Sequence, residues 1–188
     1  MDAKTQITKV NGISILDTAK QPLESNLCLA LVRETNDAND NALFNLAVAA
    51  RVNLHGEAML AAADAAREAG NAPNTAIAAA VSLLGPKRID GARHAADTLI
   101  DLFAHSGLHT GDDEQAVITP AQASAEQLAT LLGSAPDPLA EAMLKAFDKR
   151  QGKSAFVRYL RTLDGHPTAD AVIAALTTTI AWEPLIRK

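Results

Sequence analysis

The chain has 188 residues, of which 48% are apolar and 3% aromatic, and its formal net charge is −5 at pH 7. At this length one core can bury roughly 70% of the unfolded surface, and the scarcity of aromatic residues predicts a core of small side chains in closely packed helices. The negative charge argues against nucleic acid as a partner, and the lone cysteine, Cys28, excludes a disulfide framework.

The first residues lack the basic and apolar regions of a secretory signal, and no apolar run approaches the roughly 18 residues needed to cross a bilayer. We therefore expect a cytoplasmic protein without a membrane partner. The N-terminal arm, residues 1–20, is the one part with β-character. There, Asn11-Gly12 separates Thr5–Val10 from Ile13–Thr18, and Asn-Gly favours the type I′ turn of a β-hairpin.

Beyond Pro22 the apolar residues recur at helical spacing, and glycine, proline and N-cap residues interrupt the pattern. Thr119-Pro120 and Asp137-Pro138 are each typical of a helix start. The predicted helices cover residues 23–31, 41–69, 75–84, 89–104, 120–132, 138–149, 153–163 and 168–182. The first is expected to bury Leu23, Leu27, Ala30 and Leu31, and the second Leu43, Leu46, Ala47, Ala50, Leu54, Ala58 and Ala61.

The most loop-like segment is the acidic loop, residues 106–115, with two glycines and several acids. It divides a first helical half, residues 22–105, from a second, residues 116–188, within a single helical domain. His105 and His109 flank its start, but Gly107 between them weakens a helical zinc motif. We interpret this segment as a surface loop and predict no metal site.

Two turns are candidates for chemistry. Gly85–Ala92 places Lys87 and Arg88 before a helix N-terminus, where backbone amides can receive a phosphate or carboxylate; a plain helix-to-helix turn with solvated cations is the alternative. Asp164-Gly165-His166-Pro167 places a carboxylate and an imidazole on a turn before the last helix, where substrate could reach them, although this is also ordinary turn chemistry.

The run from Ala69 to Ala92, followed by an alanine-rich helix, resembles the citrate synthase superfamily, and most closely its citryl-CoA lyase and ATP-citrate lyase branch. In that branch an alanine-rich helix leads to Gly-Pro-x-His-Gly-Gly-Ala. Gly85, Pro86, Gly91 and Ala92 match this motif with one extra residue in the loop, and Arg88 stands where the histidine belongs. The resemblance implies an all-α, multi-helix citrate synthase-like core.

The resemblance also implies site roles. Leu163-Asp164-Gly165 is similar to the Val-Asp-Gly around the family's catalytic aspartate, so Asp164 becomes a catalytic candidate, with Arg88 as an oxyanion donor. His166, on the same turn as Asp164, is a further catalytic candidate. The turn residues Gly85, Lys87, Arg88 and Gly91 would bind a coenzyme A thioester or a carboxylate. The expected protein is a shortened relative of this family. Its catalysis is expected to be impaired, because a guanidinium cannot exchange protons at neutral pH.

Two alternatives stay open. One is a helical self-association or interaction module without small-molecule chemistry, in which the alanine-rich faces of residues 41–104 serve for packing. The other is an active acyl-CoA lyase or synthase that acts through an enolate, with Asp164 as the base. Family members associate through core helices, so the resemblance also implies a homodimer or a hetero-oligomer with a larger relative.

Overall fold

The computed structural model describes residues 9–10, 12–32, 37–52, 58–113, 115 and 119–187. Ten α-helices, two pairs of two-residue strands and a final π-helical turn make up this part of the chain. In chain order they are β1 (Lys9–Val10), β2 (Ile13–Ser14), α1 (Ile15–Thr18), α2 (Leu23–Val32), α3 (Ala38–Val52), α4 (Ala58–Glu68), α5 (Pro73–Ser82), α6 (Lys87–Phe103), α7 (Ala125–Leu131), β3 (Leu132–Gly133), α8 (Pro138–Lys149), α9 (Ala155–Thr162), β4 (His166–Pro167), α10 (Ala169–Ala181) and the C-terminal turn (Trp182–Ile186). The predicted all-α class is confirmed.

The N-terminal hairpin is confirmed but is shorter than predicted. Strands β1 and β2 pair antiparallel, with Lys9 opposite Ser14, and Gly12 has a positive φ of 86°. The predicted second strand was wrong beyond Ser14, because the Ser14 side chain accepts a hydrogen bond from the Leu16 amide and so starts the short helix α1. Residues 5–8 of the predicted first strand lie outside the described residues.

Helix α10 is the centre of the fold. It packs against α3, α6, α8 and α9, and nine of its thirteen residues are buried. Because Ala171, Ala174 and Ala175 are fully buried, neighbouring helices can approach it closely. By length and composition Ala169–Ile186 could cross a membrane, contrary to the sequence-based expectation, but most of this segment is buried inside the protein.

Large rings also contribute to the core, contrary to the prediction from composition. Four of the six aromatic side chains meet at one end of α6. Phe103 lies 4.7 Å from Phe156 and 5.4 Å from Tyr159, and Phe156 lies 5.1 Å from Trp182, measured between ring centroids. Tilted and edge-on pairs of this kind stabilise a core beyond the area they bury.

The acidic loop packs onto the core at two points. Leu108 is buried and its carbonyl accepts a hydrogen bond from Trp182 Nε1 at 3.1 Å. The Gly111 carbonyl accepts one from the Ala155 amide at 2.8 Å. One hydrophobic cluster contains residues from both sides of this loop.

Several helix boundaries follow local capping. Asp137 caps α8 as predicted, and Ser154 and Thr168 cap α9 and α10. The predicted start at Thr119-Pro120 was wrong, because Ser124 and Gln127 form a reciprocal capping box that begins α7 at Ala125. Helix α5 begins at Pro73, two residues before the predicted start at residue 75, and its N-cap is Ala72.

Two predicted buried faces need correction. In α2 the residues at the predicted stripe, Leu23, Leu27, Ala30 and Leu31, are exposed, whereas Cys28 and Leu29 are buried. This helix packs mainly on α3, so only one narrow side is covered. In the second region Leu43, Leu46, Ala47 and Ala50 are buried as predicted, Ala58 and Ala61 are exposed, and Leu54 lies outside the described residues.

Candidate functional site

The turn that the sequence singled out connects α5 to α6. Helix α6 begins at Lys87, two residues earlier than predicted, and the Lys87 side chain is exposed. Gly85 has open space where a side chain would stand and no positive φ, so the backbone does not require glycine there. Pro86 occupies the N-cap position and provides no side-chain hydrogen bond.

Arg88 ties this turn to the end of α3. Its Nη2 donates to the Arg51 carbonyl at 2.8 Å, and Arg51 Nη1 donates to the Arg88 carbonyl at 3.3 Å. Arg51 lies in the last turn of α3, where carbonyl groups lack partners within the helix. Arg88 therefore satisfies a carbonyl at the C-terminus of α3 while joining two helices.

A third helix completes this cluster. Arg51 Nη2 also donates to Asp170 Oδ1 at 2.8 Å, and Asp170 belongs to the first turn of α10, where a carboxylate interacts favourably with the helix dipole. Gly91 leaves room for this carboxylate, since a methyl group at that position would overlap Asp170 Oδ2. We call Arg51, Arg88, Gly91 and Asp170 the three-helix cluster; these contacts are internal links between α3, α6 and α10.

Asp164 and His166 lie in a different arrangement. Asp164 is exposed in the bend after α9, and His166 is exposed in β4, where its backbone pairs with Gly133 of β3. The intervening Gly165 packs closely on the Leu132 side chain. This small antiparallel pair positions the start of α10. Neither Asp164 nor His166 takes part in the hydrogen bonds given above for the three-helix cluster.

Polar side chains also line a groove of about 360 Å³ between α6 and α7, among them His94, Asp97, Asp101 and Glu126. His94 Nε2 lies 3.1 Å from Nη2 of Arg93, which also approaches Asp97. Across the described part of the chain, no group of three or more histidine, cysteine or acidic residues is arranged to hold a metal ion. His105 and His109 are both exposed.

Acidic residues gather where the acidic loop meets the start of α3. The pKa of Asp40 is raised from 3.8 to about 6, first by burial and then by the nearby carboxylates of Asp37, Asp112 and Glu183, against a backbone hydrogen bond from Asp37 that lowers it. Asp40 therefore keeps its proton over a pH range in which an exposed aspartate is ionised.

The sequence did not predict the most unusual surface, which belongs to the hairpin of α4 and α5. The half-buried side chains of both helices are small: Ala62, Ala63 and Ala66 in α4, and Ala76, Ala79 and Ala80 in α5. The larger aliphatic residues of α5 are exposed, Ile77 by 63% and Val81 by 56%. Leu84, two residues beyond the end of α5, is exposed by 50%. We call Ile77, Val81 and Leu84 the hairpin face.

Helix α5 combines this exposure with a lack of charge. Its ten residues include no charged side chain, and none of them is buried. The helices α4 and α5 pack on each other along their lengths, and no other described element contacts either of them extensively. A Schellman motif joins them: Gly70, with a φ of 82°, donates to the Arg67 carbonyl, and Asn71 donates to the Ala66 carbonyl.

An exposed helix normally has a charged or polar outer face. A signal for this surface was present in the sequence, since the large apolar residues 77, 81 and 84 recur at helical spacing and the positions from 78 to 80 are all alanine. The spacing alone could not reveal which of the two stripes faces α4.

The chain matches no protein-family model, no curated protein and no solved structure. The resemblance to the citrate synthase superfamily therefore stays a prediction from the sequence.

Proposed function

We propose that this protein is a helical self-association module in which the hairpin face of one copy packs against the hairpin face of a second. The observation that carries the proposal is the inverted arrangement of α5, whose alanines pack inward on α4 while its large aliphatic residues are exposed. A pair of antiparallel helices with one uncovered apolar side is half of a four-helix bundle, and a second such hairpin completes it.

Charge supports a second copy as the partner. With a net charge of −5, two copies repel each other over most of their surfaces. Helix α5 carries no charge, so two copies can meet there, in a twofold arrangement, without placing like charges together. Three half-exposed aliphatic side chains per copy suit a weak, concentration-dependent dimer rather than an obligate one.

Sedimentation velocity tests this proposal. The wild-type chain should shift from monomer to dimer between about 1 μM and 1 mM, and the double variant Ile77→Ser/Val81→Ser should stay monomeric. Each of these side chains contributes about 1 kcal/mol on burial, twice per twofold dimer, so the variant loses about 4 kcal/mol and its Kd rises roughly a thousandfold.

Leu23→Ser is the control, because Leu23 is an aliphatic residue on α2 that is 71% exposed. It should dimerise like wild type. A wild-type chain that is monomeric throughout the range, or a control that dissociates while the α5 variant does not, would contradict the proposal.

Binding of an acyl-CoA or a carboxylate at the α5–α6 turn is our second proposal. The exposed Lys87 at the start of α6, next to an N-cap without a side-chain hydrogen bond, supports it. Calorimetry with acetyl-CoA and citrate should detect binding that Lys87→Ala weakens by about tenfold, the effect of losing one charge-assisted contact. The absence of a heat of binding, or an affinity that is unchanged in Lys87→Ala, would refute this second proposal.

A further inference from the structure

A pocket lies in the N-terminal part of the described chain. It is formed by β2, α1, the turn that follows α1, and α2, and its volume is about 290 Å³. Small-molecule sites begin near about 300 Å³, so this pocket has the size of a site for a small ligand. The described residues that line it include no member of the three-helix cluster or of the hairpin face.

Most of the accessible lining of this pocket is apolar. Ile13 of β2 is half-buried, so part of its side chain remains accessible. Thr18 and Leu29 also line the pocket, but they are almost fully buried and add little accessible area. The accessible apolar surface therefore comes mainly from Ile13 and from the aliphatic carbons of the polar lining residues. A ligand with an apolar body gains free energy when it displaces water from this surface.

Polar side chains line the same pocket. Asp17 of α1 is exposed, and it is the one charged residue among the described residues of the lining. Gln21 and Asn26 contribute side-chain amides, and Ser25 contributes a hydroxyl group. Ser25 Oγ accepts a hydrogen bond from Asn41 Nδ2 at 2.9 Å, which uses one of its two lone pairs. The pocket therefore offers a carboxylate, two amide oxygens and a hydroxyl oxygen as hydrogen-bond acceptors.

The neighbouring residue Lys20 shows that an ammonium group can reach Asp17. Its Nζ lies 3.4 Å from Asp17 Oδ1, and both side chains are largely exposed. An exposed ion pair of this kind contributes little to stability, so a second ammonium group can displace Lys20 or bind the other carboxylate oxygen. The carboxylate is therefore available to a cationic ligand, whereas it repels an anion.

We propose that this pocket binds a small primary amine, with its apolar body against Ile13 and its ammonium group on Asp17. An alkylammonium group, like that of lysine, is charged at neutral pH. Its three N–H donors match the Asp17 carboxylate and the neighbouring amide and hydroxyl oxygens of the lining. The volume of the pocket suits a compact amine of about six carbon atoms.

Amide NMR on the isotope-labelled full chain tests this proposal and locates the site. Hexylamine should produce saturable shifts of amide signals within residues 13–29, with a Kd near about 1 mM, the range of a weak small-molecule site. Hexan-1-ol should bind about tenfold more weakly, because it lacks the charge. Hexanoate, which Asp17 repels, and methylammonium, which lacks the apolar body, should produce no saturable shift.

Substitutions of the two partners in the exposed ion pair should have opposite effects. Asp17→Asn should weaken the binding of hexylamine about tenfold and leave hexan-1-ol unaffected. Lys20→Gln should strengthen the binding of hexylamine about threefold, because it removes a competing cation. Asp64→Asn is the matched control for Asp17→Asn, since the Asp64 side chain has the same exposed fraction, 64%, and pairs with Arg67 three residues later. Circular dichroism should show that each variant is folded.

The absence of saturable hexylamine shifts within residues 13–29 of the folded protein would overturn the proposal. An equal affinity for hexylamine and hexanoate would overturn it as well, because the carboxylate would then not select the ligand. So would an affinity for hexylamine that is unchanged in Asp17→Asn or lowered in Lys20→Gln.

Discussion

Gly91 provides a sharp test of the three-helix cluster, because the effect of Gly91→Ala on stability should change sign when the Asp170 carboxylate is removed. In the wild type, Gly91→Ala adds a methyl group that overlaps the Asp170 carboxylate. Asp170 can move, because the overlapping atoms are at the end of a side chain, but it then loses the 2.8 Å contact with Arg51. Alanine itself favours the helix by about 1 kcal/mol over glycine.

The magnitudes decide the direction. A charge-assisted hydrogen bond contributes about 1.5 to 3 kcal/mol, and partial exposure of this pair places it at the lower end of that range. Gly91→Ala alone should therefore lower the free energy of unfolding by about 0.5 to 1 kcal/mol. In an Asp170→Ala background the carboxylate is absent and the Asp170 Cβ lies 3.5 Å from the added methyl, so Gly91→Ala should instead stabilise the protein by about 1 kcal/mol.

Urea denaturation of the four proteins in this double-mutant cycle, followed by circular dichroism, measures the coupling directly. We expect about 1.5 to 2 kcal/mol between positions 91 and 170. Equal effects of Gly91→Ala in both backgrounds would refute the explanation that glycine is required because the carboxylate comes close.

Two further predictions concern other close contacts. Gly111→Ala should lower the free energy of unfolding, measured by urea denaturation, by about 2 to 4 kcal/mol, because the added methyl group would overlap the backbone of Thr179, which cannot rotate away. Gly85→Ala is the control, since a methyl group there meets open space, and it should change the free energy of unfolding by less than about 1 kcal/mol. Similar losses in the two variants would contradict this reasoning. Asp40→Asn should remove a loss of stability that the wild type shows as pH rises from 4 to 6. The pKa of Asp40 in the folded state, about 6, exceeds its ordinary value of 3.8, so the folded state binds more protons in this range, and the full effect is at most about 3 kcal/mol. Urea denaturation at several pH values across this range measures how the stability of each protein depends on pH. Glu141→Gln is the control and should retain the wild-type pH dependence, because Glu141 is an exposed acid in the first turn of α8. A stability profile of Asp40→Asn that runs parallel to the wild-type profile would refute this prediction.

Local signals in the sequence predicted the elements well where the capping residue and the helix start are adjacent. Asp137 followed by Pro138 defined the start of α8 because the carboxylate accepts from amides two and three residues ahead. The same reasoning failed at Thr119-Pro120, where Ser124 has a partner for a reciprocal cap and begins the helix later. Competing local signals are separated only by the packing of the finished fold.

The candidate site was harder to predict, because its contacts join distant parts of the chain. The pair of Arg51 and Asp170 spans 119 residues, and no periodicity relates two such positions. The sequence directed attention to the segment from Gly85 to Gly91, but it could not reveal that Asp170 comes close to Gly91. Likewise, the repeated alanines of α4 and α5 made both sides of each helix equally plausible as the buried one.

The central position of α10 has a consequence for synthesis. During translation, α3, α6, α8 and α9 all emerge before the helix they pack around. Until α10 follows, the apolar sides of these four helices have no common partner, so a nascent chain exposes them while α10 is still inside the ribosome. Completion of the core then has to wait until α10 has emerged, and chaperones have that interval in which to bind.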